Sequence, residues 1–201
     1  ILFQGDSITD CGRAAPPAAG YANGGMGPGY PALVMARTMR DPPGHAWNFL
    51  NRGISGNRIV DLYARWRVDC LNLEPDVLSI LIGVNDVWHE DNRNGVEAPR
   101  FERFYRELLT WTKETRPAIR LVVLEPFLCM SNPAAAAMMP EVAKRATIAR
   151  AVAKDFGAAF VPLQSLFDEA SRQAPPTHWS ADGVHPTAAG HQLIADAWLA
   201  A

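Results

Sequence analysis

The run Val77-Leu78-Ser79-Ile80-Leu81-Ile82 most narrows what this chain can become. A strand with one wet face alternates apolar and polar residues, whereas a run that is apolar on both sides has both faces covered. Such strands lie inside parallel sheets with helices on each face. Further short apolar runs at Ile1–Gly5, Trp47–Leu50, Leu121–Leu124 and Ala159–Val161 alternate with amphipathic segments. Those segments predict helices over Tyr30–Met39, Arg58–Leu73, Pro99–Thr115, Pro140–Phe156 and Thr187–Ala200, with a shorter one over Leu163–Ala174. The alternation predicts right-handed β-α-β units, and hence an α/β fold: a three-layer α/β/α sandwich around a five-stranded parallel sheet. The 201 residues suffice for one sizeable core, so a single domain over residues 1–201 is expected.

In such sheets the functional groups gather at the carboxyl ends of the strands. Here each polar cluster follows a strand: Gly5-Asp6-Ser7, Asn51 to Asn57, Gly83-Val84-Asn85-Asp86 and Glu125-Pro126-Phe127. Ala14–Gly29, rich in Gly, Ala and Pro, reads as a surface loop beside Ser7, and Met130–Met139 as a second loose stretch walling a pocket. Taken alone, Ser7 reads slightly better as a helix cap than as a nucleophile, because Ser-x-x-Asp opens many helices. Asp182-Gly183-Val184-His185-Pro186 reverses that order. The proline holds the His185 backbone extended. The three-residue offset lets Asp182 accept from Nδ1–H, leaving Nε2 to take a proton from Ser7. A tetrahedral intermediate also needs donors placed in advance. The candidates are the N–H of Ser7, the N–H of Gly53 and the side-chain amide of Asn85, although Gly53 and Asn85 read equally well as turn residues.

Other chemistries fit less well. The net charge of -2 offers no basic field for nucleic acid, so no nucleic-acid partner is expected. No apolar stretch spans a bilayer, so no membrane partner is expected either. Cys11, Cys70 and Cys129 are odd in number and lack a Cys-x-x-Cys pair, which argues against a disulfide framework and a thiolate zinc site. Asp6, Asp10, Asp86, His89 and His185 show no metal-ligand spacing, so neither metal nor cofactor is expected. Ser55 lacks the Gly-x-Ser-x-Gly elbow, and Gly20 to Gly29 lacks the Lys-Ser/Thr ending of a phosphate loop. No signal peptide is visible in these residues and a cytoplasmic location is expected, although the sequence starts inside a strand without an initiator Met and residues upstream of Ile1, which could include a leader, are expected to be missing.

With these residues in place, the sequence resembles the SGNH subgroup of the GDSL hydrolase family. The four blocks of that family correspond to Gly5-Asp6-Ser7-Ile8, Gly53, Gly83-Val84-Asn85-Asp86 and Asp182-Gly183-Val184-His185, in order and across most of the chain. Ile8 stands where the family name has Leu. The resemblance implies a flavodoxin-like sandwich and an esterase or lipase mechanism. By position it makes Ser7 the nucleophile, His185 the base and then acid, Asp182 its orienter, and Ser7 N–H, Gly53 N–H and Asn85 the oxyanion hole. Asn51 to Asn57, Ile82 to Trp88 and His185 to His191 look closest to the branch of bacterial acetylxylan esterases, which deacetylate sugar hydroxyls. Related sequences often carry Trp directly before the triad Asp; here Ala181 stands there, with Trp179 two residues earlier.

A short-chain ester, acetyl first, of a small molecule or oligosaccharide is therefore the expected substrate. Tyr21, Tyr30, Trp88, Phe127 and Trp179 are the aromatic candidates for the mouth of the pocket. The alternatives are a thioesterase or lysophospholipase acting on longer chains, and a carbohydrate-binding module without catalysis. His89 and Glu90 read as solvated loop residues, and His191 as a packing or surface residue. Arg58, Asp61, Arg65 and Asp69 read as a helix face with local ion pairs, or more sharply as a subunit interface. The apolar fraction is compatible with a homo-oligomer.

Overall fold

The apolar run at Val77–Leu81 forms the central strand of the sheet. The computed structural model describes residues 1–14, 25–40 and 46–201. Its strands are β1 (Leu2–Gly5), β2 (Leu50–Asn51), β3 (Val77–Leu81), β4 (Arg120–Leu124) and β5 (Ala159–Val161). All pair in parallel in the order β2-β1-β3-β4-β5. The helices are α1 (Ser7–Asp10), α2 (Tyr30–Arg40), α3 (Ile59–Asp69), α4 (Asn85–Trp88), α5 (Ala98–Thr115), α6 (Pro133–Asp155), α7 (Leu163–Gln173), α8 (Pro176–Trp179) and α9 (Ala188–Ala200). Short 3-10 turns cover Leu71–Leu73 and His89–Asn92.

Successive strand residues point to opposite faces, and the core divides accordingly. Leu2, Leu78, Ile80, Leu121 and Val123 join one buried cluster with residues of α3, α5 and α6. Phe3, Leu81 and Leu124 join another with residues of α2, α7 and α9. Ser79, the polar member of the central strand, is fully buried but accepts the Trp198 Nε1–H at 3.0 Å, so its hydroxyl is satisfied. The chain runs from β1 outward to β2 and then returns to β3 on the other side of β1. The strand order therefore reverses between β1 and β3, where a crevice opens at the carboxyl ends.

Several boundaries differ from expectation. The second strand is Leu50–Asn51 rather than Trp47–Leu50: it is an edge strand with one neighbour, and Trp47 is 40% exposed. The helix from Arg58 ends at Asp69, and Leu71–Leu73 continue as a 3-10 turn after Cys70. The largest difference is α6, which starts at Pro133 and not Pro140. Asn132 Oδ1 caps the Ala135 N–H at 3.0 Å and Pro133 takes the first turn, where a missing N–H costs nothing. Pro140 then sits inside the helix on its exposed side. The stretch Met130–Met139 is therefore largely helical rather than loose, although it does line a cavity. In the Ala14–Gly29 segment, residues 15–24 lie outside the described residues, Tyr21 among them. The charges on α3 do form local pairs, Arg58 with Asp61 at 2.8 Å and Arg65 with Asp69 at 3.1 Å.

Candidate active site

The crevice between β1 and β3 receives Ser7 from one strand and Asn85 from the other. β1 runs directly into α1, and the cap of that helix is Asp6, whose Oδ1 accepts the Ile8 N–H at 3.0 Å. The cap reading of Ser7 is thereby displaced by one residue, and the Ser7 hydroxyl is free for another partner. That partner is His185: Oγ lies 2.8 Å from Nε2. On the far side of the ring, His185 Nδ1 lies 2.7 Å from Asp182 Oδ2.

Local geometry makes the Asp182–His185 turn rigid. Asp182 Oδ1 accepts the N–H groups of Val184 at 2.9 Å and His185 at 2.8 Å. Gly183 between them has φ +87, and a Cβ there would lie 2.5 Å from the Ala135 Cβ, so only glycine fits the turn against α6. Asn132 Nδ2 donates to Asp182 O at 2.8 Å, and Ser180 Oγ donates to His185 O at 2.9 Å. Burial pushes the Asp182 carboxyl up, but the hydrogen bonds from the His185 ring and from the two N–H groups outweigh it and leave it below the ordinary carboxylate range. An ionised carboxylate can only accept, so Nδ1 carries the proton and Nε2 presents its lone pair to Ser7.

The three donor candidates do not stand alike. Ser7 N–H lies in the first turn of α1, where helical N–H groups lack intrahelical acceptors, and it makes no hydrogen bond among the described residues. Asn85 opens α4 and uses one amide hydrogen on Asn57 O at 3.1 Å, leaving the other. Gly53 N–H, by contrast, already donates to Asn51 Oδ1 at 2.9 Å. Gly53 is required for another reason as well: a Cβ would meet Asp10 N at 2.4 Å, so the loop after β2 packs directly on the end of α1.

Of the expected pocket aromatics, Trp88 is at the site. It is 39% exposed, and its ring centroid lies 5.9 Å from that of His185. Tyr30 and Phe127 are not pocket residues. Tyr30 is fully buried, its hydroxyl 3.1 Å from Thr9 Oγ1 and its ring edge-on to Phe3. Phe127 is fully buried and stacked on Phe167 at 4.2 Å. Both rings complete the core beneath the crevice, where burial of a large apolar face outweighs exposure at the mouth. Trp179 is partly buried and packs against the same core. Glu90 is more than a solvated residue, since it pairs with buried Arg145 at 3.1 Å. His191 does serve packing: its Nδ1 accepts the Tyr30 N–H at 3.2 Å, and burial pushes the ring down to about 4, keeping it neutral.

Two carboxylates flank the crevice from below. Burial pushes Asp6 up to about 7, and Asp86 likewise to about 7. Asp86 accepts the Ile59 N–H at 3.1 Å, tying the start of α3 to α4. Sequence reasoning missed Asn51, whose Nδ2 donates to Thr9 O at 2.7 Å and Met26 O at 2.9 Å. Its signal was available, because an Asn two residues before a Gly commonly bonds that backbone N–H. Among the described residues no group of His, Cys, Asp and Glu could hold a metal ion, and no helix is long and apolar enough to cross a membrane.

The family described as GDSL-like Lipase/Acylhydrolase matches residues 3–193. An acetylxylan esterase from Geobacillus stearothermophilus is 35% identical over 205 residues, covering 99% of this chain and 91% of that protein. The structure of that organism's acetylxylan esterase Axe2 superposes with a TM-score of 0.88 at 34% identity, covering 99% and 91% of the two chains. A GDSL-like protein from Parabacteroides merdae superposes with a TM-score of 0.89 at 41% identity, covering 99% and 93%. Catalytic mutants of Axe2 with a serine, an aspartate or a histidine replaced by alanine share the same fold.

Proposed function

This chain belongs to the GDSL-like lipase/acylhydrolase family and is a carboxylic ester hydrolase; on that premise we propose that it removes short acyl groups, acetyl first, from carbohydrate hydroxyls, with Ser7 as nucleophile. The observation that carries the reading is the unbroken relay from Ser7 Oγ through His185 to Asp182, at 2.8 and 2.7 Å. Likeness to an acetylxylan esterase over nearly the whole chain supports the acetyl and sugar assignments.

In this mechanism His185 Nε2 takes the Ser7 proton as Oγ attacks the ester carbonyl carbon. The carbonyl oxygen becomes an oxyanion held by Ser7 N–H and the free Asn85 amide hydrogen, with Gly53 N–H shared from Asn51. Asp182 stabilises the imidazolium. The bond from the carbonyl carbon to the alcohol oxygen then breaks, and His185 passes its proton to that oxygen. Water, deprotonated by the same imidazole, attacks the acyl-enzyme, and the acid leaves as Ser7 recovers its proton. No cofactor enters any step.

Ser7→Ala tests the reading. It should abolish acetate release from acetylated xylo-oligosaccharides while leaving the far-UV circular dichroism unchanged, and an organophosphonate should label wild-type Ser7 but not the variant. Full activity in the variant would remove Ser7 from the mechanism. Inertness of the wild type to both reagents would favour a binding module. Preference for acyl chains of about eight carbons or more would favour a thioesterase or lysophospholipase with an extended apolar pocket.

A further inference from the structure

A cavity of about 530 Å³ lies between α4 and the first turns of α6. Asp182 and Trp88 line it, whereas Ser7, His185 and Asn85 do not, so it adjoins the relay beside the Trp88 ring without including the nucleophile. Val87, Ala134, Ala137 and Met138 make part of its wall apolar, and Glu90 and Glu141 add carboxylates. Both carboxylates are held by Arg145, whose side chain is 1% exposed, and Glu141 also pairs with Lys144 at 2.5 Å. Its Nη2 donates to Glu90 Oε1 at 3.1 Å and to Val96 O at 2.7 Å. Its Nη1 donates to the Glu141 carboxylate and to Glu141 O. Held by four acceptors, the guanidinium is not free to swing into the cavity and greet an anion.

The reaction itself says which half of an ester belongs there. Asn85 and Trp88 are one turn apart on α4, so they share a face. The carbonyl oxygen must lie at the Asn85 amide, and the departing alcohol oxygen must reach His185 Nε2 for its proton. The Trp88 ring borders His185, and the cavity continues from that ring. The geometry points to this cavity as the alcohol subsite, shaped for a neutral polyhydroxyl ring whose face lies on Trp88 and whose hydroxyls donate to Glu90 and Glu141. Counting Lys144, which also pairs with Glu141, the carboxylates Glu90, Glu141 and Asp182 still outnumber the cations Arg145 and Lys144, so alcohols bearing phosphate or carboxylate meet a net like charge there. The inference rests on the esterase reading and adds which part of the substrate the cavity selects.

Ala137 is exposed on α6, so Ala137→Trp fills the cavity without disturbing the core. The test measures kcat/KM of wild type and variant on an acetylated xylo-oligosaccharide, ethyl acetate and ethyl octanoate. The sugar ester should lose at least about tenfold more than ethyl acetate, chiefly through KM, as expected when a pocket contact is lost. Equal losses, or none, overturn the assignment. A loss confined to ethyl octanoate also overturns it, by placing an acyl chain in the cavity. Wild type should further prefer an acetylated methyl xyloside over its uronic-acid counterpart by about tenfold or more, and equal rates on the two would remove the charge argument. If wild type cleaves no acetate at all, the esterase reading itself falls, which is a different outcome from a cleaved ethyl acetate with an indifferent variant.

Discussion

Asn51 Oδ1 accepts the Gly53 N–H at 2.9 Å, and with its Nδ2 spent on Thr9 O and Met26 O the Asn51 amide joins the edge strand, the nucleophile helix and the loop beside Ser7. It is a buried polar group with every contact local to the site, so its removal strands three backbone groups at once. Asn51→Ala should cost about 2 kcal/mol or more in urea unfolding. It should also lower kcat on an aryl acetate, because Thr9 O and the Gly53 loop lose their shared anchor. Asn51→Asp keeps the acceptor for Gly53 but turns its second oxygen on two carbonyls, so it should not rescue stability.

Asn85 has a different kind of leverage. Its free amide hydrogen acts only when charge develops on the carbonyl oxygen. Asn85→Ala should lower kcat by roughly 100- to 1000-fold with little change in KM. Steady-state kinetics on one acetate ester suffice, and a variant that raises KM alone would assign Asn85 to ground-state binding.

Asp6 makes a prediction about stability with a definite sign. Burial raises its folded-state value to about 7, whereas the unfolded carboxyl titrates near 4. Between those values the folded protein holds a proton that the unfolded chain has released. Stability therefore falls as pH rises through that window and levels off above it. Asp6→Asn keeps an oxygen to cap the Ile8 N–H and removes the titration. The melting temperature of wild type should drop more than that of the variant between about pH 5 and about pH 8. Equal slopes would mean that Asp6 is ionised in the fold.

Much of this site was legible in the sequence because strand ends are. A run such as Val77–Ile82 announces its own burial, and the parallel sheet it implies tells where polar clusters must meet. Ser7 and Asn85 were placed that way, Asp182 and His185 by their Asp-x-x-His spacing in the loop before the last helix, and Asn85 was told from a turn residue only by the family resemblance. The aromatics were not placed so, because sequence position near a strand end fixes only where a Cα lies. Tyr30 and Phe127 follow or precede loops at the correct end, but their rings turn inward to the core. Helix starts failed where two signals competed: Pro133 and Pro140 both look like first-turn prolines, and only the Asn132 cap decides between them. Arg145 was illegible for a related reason. Its partners Glu90 and Val96 are about 50 residues away in sequence, and long-range polar pairs leave no local pattern.

Asp182 divides its labour between two oxygens, and that division can be tested. Oδ1 holds the turn through the Val184 and His185 N–H groups, while Oδ2 takes the ring Nδ1–H. Asp182→Asn can keep the first function by placing its carbonyl oxygen in the Oδ1 position. Its NH₂ then faces His185 and can only donate, which forces Nδ1 to accept and moves the ring proton to Nε2. Ser7 Oγ then meets a donor where it needs a base. The expected result is a fall in kcat of roughly four orders of magnitude at nearly unchanged KM and melting temperature. Organophosphonate labelling of Ser7 should slow in parallel, since it needs the same deprotonation. A loss of both stability and rate would mean that the carboxylate charge holds the turn itself, and Asp182→Ala, which removes both oxygens, gives the size of that structural contribution.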